Sequence, residues 1–152
     1  MRLVIASVGR FRGGPLQELY AEYAGRLPWP IDLKEVEEKR PLKGKARMAR
    51  EAELLMGAIP EGATVIALDE KGKSMDSQGF AKMLGRFADD GVQTAAFLIG
   101  GADGHTQETL GKADRLLSLG PMTWPHLMVR GLLAEQLYRA SSILSNHPYH
   151  RA

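Results

Sequence analysis

The chain has no cysteine among its 152 residues. That excludes a disulfide framework and any thiolate metal site, and it fits a reducing cytosol. A cytoplasmic location is therefore expected. No apolar run approaches the roughly 18 residues of a membrane-spanning helix. The N-terminal run Leu3 to Val8 is cut short by Arg10 and Arg12, so it reads as a first strand and not as a secretory signal. Neither an H-E-x-x-H pattern nor a carboxylate after His147 is present, and no metal site is expected. Acid is missing from two places. Lys39, Arg40, Lys43, Lys45, Arg47 and Arg50 follow one another with no Asp or Glu between them, and from His126 to the end the only acid is Glu135. The net charge is only +2, so it is this distribution, and not the total, that speaks for an anionic partner.

What is present suits one domain over residues 1–152 with a core of its own. Leu3–Ser7 reads as a strand buried on both faces, and Gly9 ends it. Pro15 opens a helix carrying Leu16, Leu19, Tyr20 and Tyr23, which Pro28 and Pro30 stop. Ile31–Val36 alternates like a strand near an edge. A helix is predicted over Ala46–Ala58 and a buried strand over Val65–Leu68, with Asp69–Lys73 as its exit loop. Ser74 or Asp76 caps a helix with Phe80, Met83, Leu84 and Phe87 on one face. A strand over Thr94–Ile99, a short helix over Gln107–Gly111, a strand over Leu116–Leu119 and a long helix over His126–Ser145 complete the order. Such alternation implies an α/β fold, a mostly parallel sheet flanked by helices. In such sheets ligands sit beyond the carboxyl ends of the strands, which singles out the exits after Leu68, Ile99 and Leu119.

Three stretches carry possible chemistry. Gly100-Gly101-Ala102-Asp103-Gly104 follows a strand and permits close backbone approach to a ligand; a plain tight turn accounts for it equally well. Its spacing is not the dinucleotide fingerprint, and Gly120 stands where an acidic residue would hold a ribose, which argues against a nicotinamide oxidoreductase. Gly120-Pro121-Met122-Thr123-Trp124-Pro125 is stiffened twice by proline. Its free backbone groups suit an adenine edge, with Met122 and Trp124 against the ring; the alternative is a connector with Trp124 in the core. The last helix sets a core stripe of Leu133, Leu137, Ala140 and Leu144 beside a stripe of Glu135, Arg139, Ser142 and Asn146. Glu135 and Arg139 make a surface ion pair at i, i+4, or Arg139 faces a phosphate or a base. His147, Tyr149, His150 and Arg151 form a basic–aromatic group suited to RNA. The basic cluster Lys39–Arg50 suits an RNA backbone, or else is a solvated face.

Leu98-Ile99-Gly100-Gly101-x-x-Gly104, Leu117-Ser118-Leu119, Thr123-x-Pro125-His126-x-x-x-Arg130, Glu135-Gln136-x-Tyr138-Arg139-Ala140 and Asn146-His147-Pro148-Tyr149-His150-Arg151 together resemble the bacterial large-subunit rRNA pseudouridine N3-methyltransferase family. This family belongs to the SPOUT class of trefoil-knotted methyltransferases, and the resemblance spans essentially the whole chain. It implies an α/β-knot with its C-terminal segment threaded through a loop, a homodimer, and S-adenosylmethionine as cofactor. The implied substrate is a pseudouridine of large-subunit rRNA in the ribosome. By position, the family's cofactor contacts fall on Leu68, Gly101, Gly120, Pro121, Met122, Thr123, Trp124 and Pro125, with Pro121 departing from the family's pattern. Arg139, Tyr149 and His150 fall on the substrate side; His150 is a base or an orienting group, and Arg139 stabilises the developing anion. Gly101→Val is expected to fill space the cofactor needs. A ribosome-associated RNA-binding module of the same fold without catalysis is the alternative.

Overall fold

A computed structural model describes residues 1–151. The elements are β1 (Arg2–Val8), α1 (Pro15–Ala24), β2 (Ile31–Val36), α2 (Gly44–Ala58), β3 (Thr64–Ser74), α3 (Ser77–Asp89), β4 (Thr94–Ile99), α4 (Gln107–Lys112), β5 (Arg115–Ser118) and α5 (His126–Leu144). The five strands form one sheet in the order β2-β1-β4-β3-β5, and every strand pairing is parallel. β1 and β4 are buried along nearly their whole length because they lie inside the sheet with helices on both faces. β2, read as near an edge, is one.

Two apolar layers hold the helices to the sheet. Ile5, Ile66 and Phe97 face Phe80 and Leu84 of α3 and Leu133 and Leu137 of α5 on one side. Ala6, Ala67 and Leu98 face Leu55 of α2 and Leu110 of α4 on the other. α3 starts where Asp76 accepts a hydrogen bond from the Gly79 amide at 2.7 Å, so Asp76, not Ser74, is its cap. α5 lies between α1 and α3. Gly131 permits its close approach to α1, since a Cβ there would come within 2.8 Å of the Leu19 side chain.

Three expectations are corrected. Asp69–Lys73 is not simply an exit loop: β3 continues to Ser74, and both Leu68 and Lys73 pair with Leu117, with residues 69–72 looped out between them. Gly72 makes this possible, because a Cβ there would sit 2.9 Å from the backbone of Leu116 and Leu117. Leu144 is not core; it is 44% exposed at the end of α5, where the chain turns away. Ser142, placed on the polar stripe, is buried and bonds the Tyr138 carbonyl at 3.0 Å.

Candidate active site

The exits of β3, β4 and β5 converge on a cavity of about 790 Å³. The looped-out Asp69, Glu70 and Lys71 form one wall, Gly100–Gly104 a second, and Gly120 with Met122–Pro125 a third. His126 and Val129, in the first turn of α5, close it. Leu68, Gly101, Gly120, Met122, Thr123, Trp124 and Pro125 all line this space, whereas Pro121 does not. The glycine run is both things expected of it. The Gly104 amide bonds the Gly101 carbonyl at 3.0 Å, closing a tight turn, and that turn is a cavity wall.

The third wall is tied to the first by Ser118. Its hydroxyl donates to the Glu70 carbonyl at 3.0 Å and accepts from the Gly120 amide at 3.0 Å. Gly120 then turns with φ of 105°, a conformation that favours glycine. Met122 is 72% exposed and Trp124 is 40% exposed, its indole N–H reaching the Leu119 carbonyl at 3.3 Å. Trp124 is therefore a cavity-side ring and not a core side chain. His105 lies under the glycine turn with Nε2 3.2 Å from the Leu98 carbonyl. Burial pulls its pKa below the ordinary histidine value, so it is a neutral brace at pH 7.

Two acidic or basic groups behind the cavity were not singled out as site residues by sequence reasoning. Glu51 of α2 is buried beneath Gly101, and burial raises its pKa, with Arg47 at 3.4 Å opposing the rise. A Cβ on Gly101 would meet Glu51 at 3.0 Å and Val8 at 3.1 Å. A valine there thus points into the packing behind the loop and not into the cavity, which corrects the expected mode of action of Gly101→Val. Arg130 is fully buried. It donates to Ser7 Oγ at 2.9 Å, Glu35 at 2.7 Å, and the carbonyls of Val8 at 3.0 Å and Gly9 at 2.8 Å. Its guanidinium covers the Phe11 ring at 4.6 Å. Arg130 therefore pins the N-terminal end of α5 to the exit of β1. One turn earlier, burial and then the Arg130 charge pull the His126 pKa below the ordinary histidine value. The His126-x-x-x-Arg130 spacing was the available signal; burial of the cation was not.

The C-terminal group is built by a helix cap. Asn146 adopts φ of 58°, the Asn146 amide bonds the Ile143 carbonyl, and the His147 amide bonds the Ser142 carbonyl at 2.8 Å. This is a Schellman arrangement with Asn at the left-handed position and Pro148 following. It turns the chain back along α5. The Tyr149 ring then packs edge-on against Tyr138 at 4.7 Å, and its hydroxyl donates to Glu135 at 2.9 Å. Glu135 also accepts from Arg139 Nε at 3.0 Å. Arg139 Nη1 lies 3.1 Å from His150 Nδ1. A guanidinium only donates, so Nδ1 accepts, and the ring's remaining nitrogen, Nε2, carries the proton of a neutral imidazole. Burial, with hydrogen bonds to Tyr23 and Glu135, raises the Tyr149 phenol well above its ordinary value. The expected Glu135–Arg139 pair is thus present, and the same cluster joins Arg139 to the tail at His150. None of Arg139, Tyr149 and His150 lines the cavity. Glu135 stands nine residues, about 14 Å of helix rise, beyond His126.

A parallel α/β sheet with its cavity at the carboxyl edge and a capped basic tail defines the class. The fold is similar to that of a solved "probable methylase family protein" from Haemophilus influenzae, with a TM-score of 0.60 at 13% identity, covering 99% of this chain and 70% of that one. Residues 1–150 match the family model described as "Predicted SPOUT methyltransferase", and the chain belongs to that family of methyltransferases. Its curated relatives include proteins named ribosomal RNA large subunit methyltransferase H. One from Paramagnetospirillum magneticum is 60% identical over 99% of both chains, and one from Rhodospirillum centenum is 53% identical over 100% of both.

Proposed function

We propose that this protein transfers a methyl group from S-adenosylmethionine to N3 of a pseudouridine in large-subunit ribosomal RNA. It does so as a homodimer, on the assembled ribosome, in the cytoplasm. What carries the reading is the strand-exit cavity in a chain 60% identical, nearly end to end, to a protein named ribosomal RNA large subunit methyltransferase H. The cavity suits a cationic cofactor. Its walls include Leu68, Ile99, Leu110 and Val129, and Asp69, Glu70 and Asp103 outnumber Lys71 around it. Leu68, Gly101, Gly120, Met122, Thr123, Trp124 and Pro125 would hold the cofactor. When bound, it supplies an electrophilic methyl on a sulfonium.

The chain's own residues must hold the base in line and help N3 lose its proton. Arg139 stabilises the developing anion. His150, with Nδ1 engaged by Arg139, presents Nε2–H to a base carbonyl and orients it. Tyr149, kept protonated, offers a ring for stacking and not a base. Within one chain Arg139, which holds His150, stands about 3.6 helical turns from the first residue of α5, and Glu135, which holds Tyr149, about 2.5 turns. A symmetric partner that brings its tail to the cavity completes the site. A threaded C-terminal segment accords with the double pairing of β3 to Leu117 and with the run Gly120–Pro125, which leaves the sheet edge to reach α5.

The test is transfer of labelled methyl from S-adenosylmethionine to purified ribosomes and to free rRNA, with the modified base then identified. Transfer to N3 of a pseudouridine, favoured on ribosomes, is expected. A protein that binds the cofactor and labels neither substrate overturns the reading.

A further inference from the structure

Methyl transfer as proposed uses the basic tail and leaves the other basic region, Lys39–Arg50, without a role. The structure divides that region in two. Glu38 is 8% exposed; it accepts from the Arg40 amide at 2.9 Å, from Arg40 Nε at 3.0 Å and from Arg50 Nε at 3.0 Å. Arg47 donates to the carbonyls of Glu38, Arg40 and Leu42 at 3.1 to 3.4 Å. The three arginines thus fold residues 38–42 into a fixed hook. The three lysines do nothing of the kind. Lys39, Lys43 and Lys45 are exposed and have no carboxylate within ion-pair distance among the described residues.

Their position gives them meaning. The hook follows β2 and leads into α2, so it stands at the carboxyl edge of the sheet, the edge that carries the cavity. The β1 exit brings Arg10 and Arg12 to the same edge, where they share one carboxylate, Glu37, at 3.5 and 3.9 Å. α2 connects the two regions directly, because Glu51 lies beneath Gly101; Lys45 is six residues away, about 9 Å of helix rise. α2 also starts with no acid in its first turn and no side-chain cap, so the lysines add to the positive end of the helix instead of offsetting it. An unrelieved local conflict of this kind is expected at a functional surface.

We propose that Lys39, Lys43 and Lys45 bind phosphates of the RNA strand that flanks the target nucleotide, with the Glu38 hook holding them in place and Arg10 and Arg12 extending the rim. The proposal rests on the rRNA-methylation reading for the identity of the RNA. The test compares the wild type, the Lys39→Gln/Lys43→Gln/Lys45→Gln variant, and a Lys82→Gln/Arg86→Gln control on α3. For each, cofactor affinity, binding to purified large ribosomal subunits across salt concentrations, and kcat and KM for methyl transfer are measured. In the triple variant, KM and the subunit Kd should rise tenfold or more at unchanged kcat and cofactor affinity. The slope of log K against log salt should fall by roughly 2, since each phosphate contact contributes about 0.7 to 0.9. A folded triple variant with wild-type KM and salt slope overturns the proposal, as does an equal loss in the control. If the wild type binds subunits with a slope that the triple variant loses but transfers no methyl, the surface stands and the enzymatic reading falls. If it methylates with a slope the triple variant keeps, the reverse holds.

Discussion

Single side chains decide how α5 meets the sheet. Arg130 is a cation in a dry place, and its four hydrogen bonds reach three groups of β1 and its exit besides Glu35 of β2. Removing one partner of such a buried pair is costly because the other is left unmatched. Arg130→Met should lower unfolding stability by about 3 kcal/mol, read as a shift in the urea midpoint, the low end of the range because Glu35 keeps some contact with water. Gly101 acts through the same packing. Gly101→Val should lower the melting temperature and the cofactor affinity together, since the new side chain displaces Glu51 and Val8 and the loop moves with them. Unchanged stability with lost cofactor affinity, by scanning calorimetry and titration, would mean that the side chain enters the cavity after all.

Elements are joined by features too small to read as elements. β3 and β5 close around Gly72, where a Cβ would press on backbone at 2.9 Å and no side chain is free to give way. Gly72→Ala should cost about 1 to 3 kcal/mol, as overpacking does, and should weaken cofactor binding because Asp69–Lys71 are the wall it displaces. Unchanged stability by urea unfolding would count against the double pairing. The start of α2 depends on Glu38, whose pKa hydrogen bonds from Arg40 lower to about 2. A carboxylate with a folded-state pKa below its unfolded value adds stability above the unfolded pKa and loses it as pH falls through the folded one. The destabilisation caused by Glu38→Gln should therefore be full at pH 7 and shrink progressively from about pH 4.5 toward pH 2. Paired urea titrations at several pH values check this; a difference that stays constant down to pH 2 would mean the hook does not depend on the ionised carboxylate.

At the scale of the whole molecule, cavity and tail occupy different stretches of α5, so one chain does not bring them together. A dimer with α5 in or beside its interface is expected by light scattering at micromolar concentration. A subunit lacking Tyr149–Arg151 and a subunit carrying Gly120→Val, strained at φ of 105°, should each be inactive as homodimers. Their mixed dimer should regain one working site, near half of wild-type activity per dimer. Verified heterodimers with no recovery would place tail and cavity within one chain.

The sequence by itself determined the alternation of strands and helices, because buried parallel strands and amphipathic helices leave distinct periods. It also marked two of the loops that wall the cavity, since Gly100–Gly104 and Gly120–Pro125 signal strand exits without reference to anything distant. The end of α5 near Ser145 was legible too, but Asn146, placed on the helix's polar stripe, instead turns the chain out of the helix with φ of 58°. The tertiary structure alone decided what is set by partners far along the chain. Arg130 reads as one more cation until Ser7 and Glu35, 123 and 95 residues away, surround it. Asp69–Lys73 reads as a loop until Leu117 pairs both with Leu68 just before it and with Lys73 at its end. Arg40, Arg47 and Arg50 are indistinguishable in sequence from Lys39, Lys43 and Lys45 until Glu38 and nearby carbonyls engage the first three, while among the described residues no carboxylate pairs with the others. Charge is written residue by residue, but whether a charge is neutralised depends on distances that only the folded chain sets.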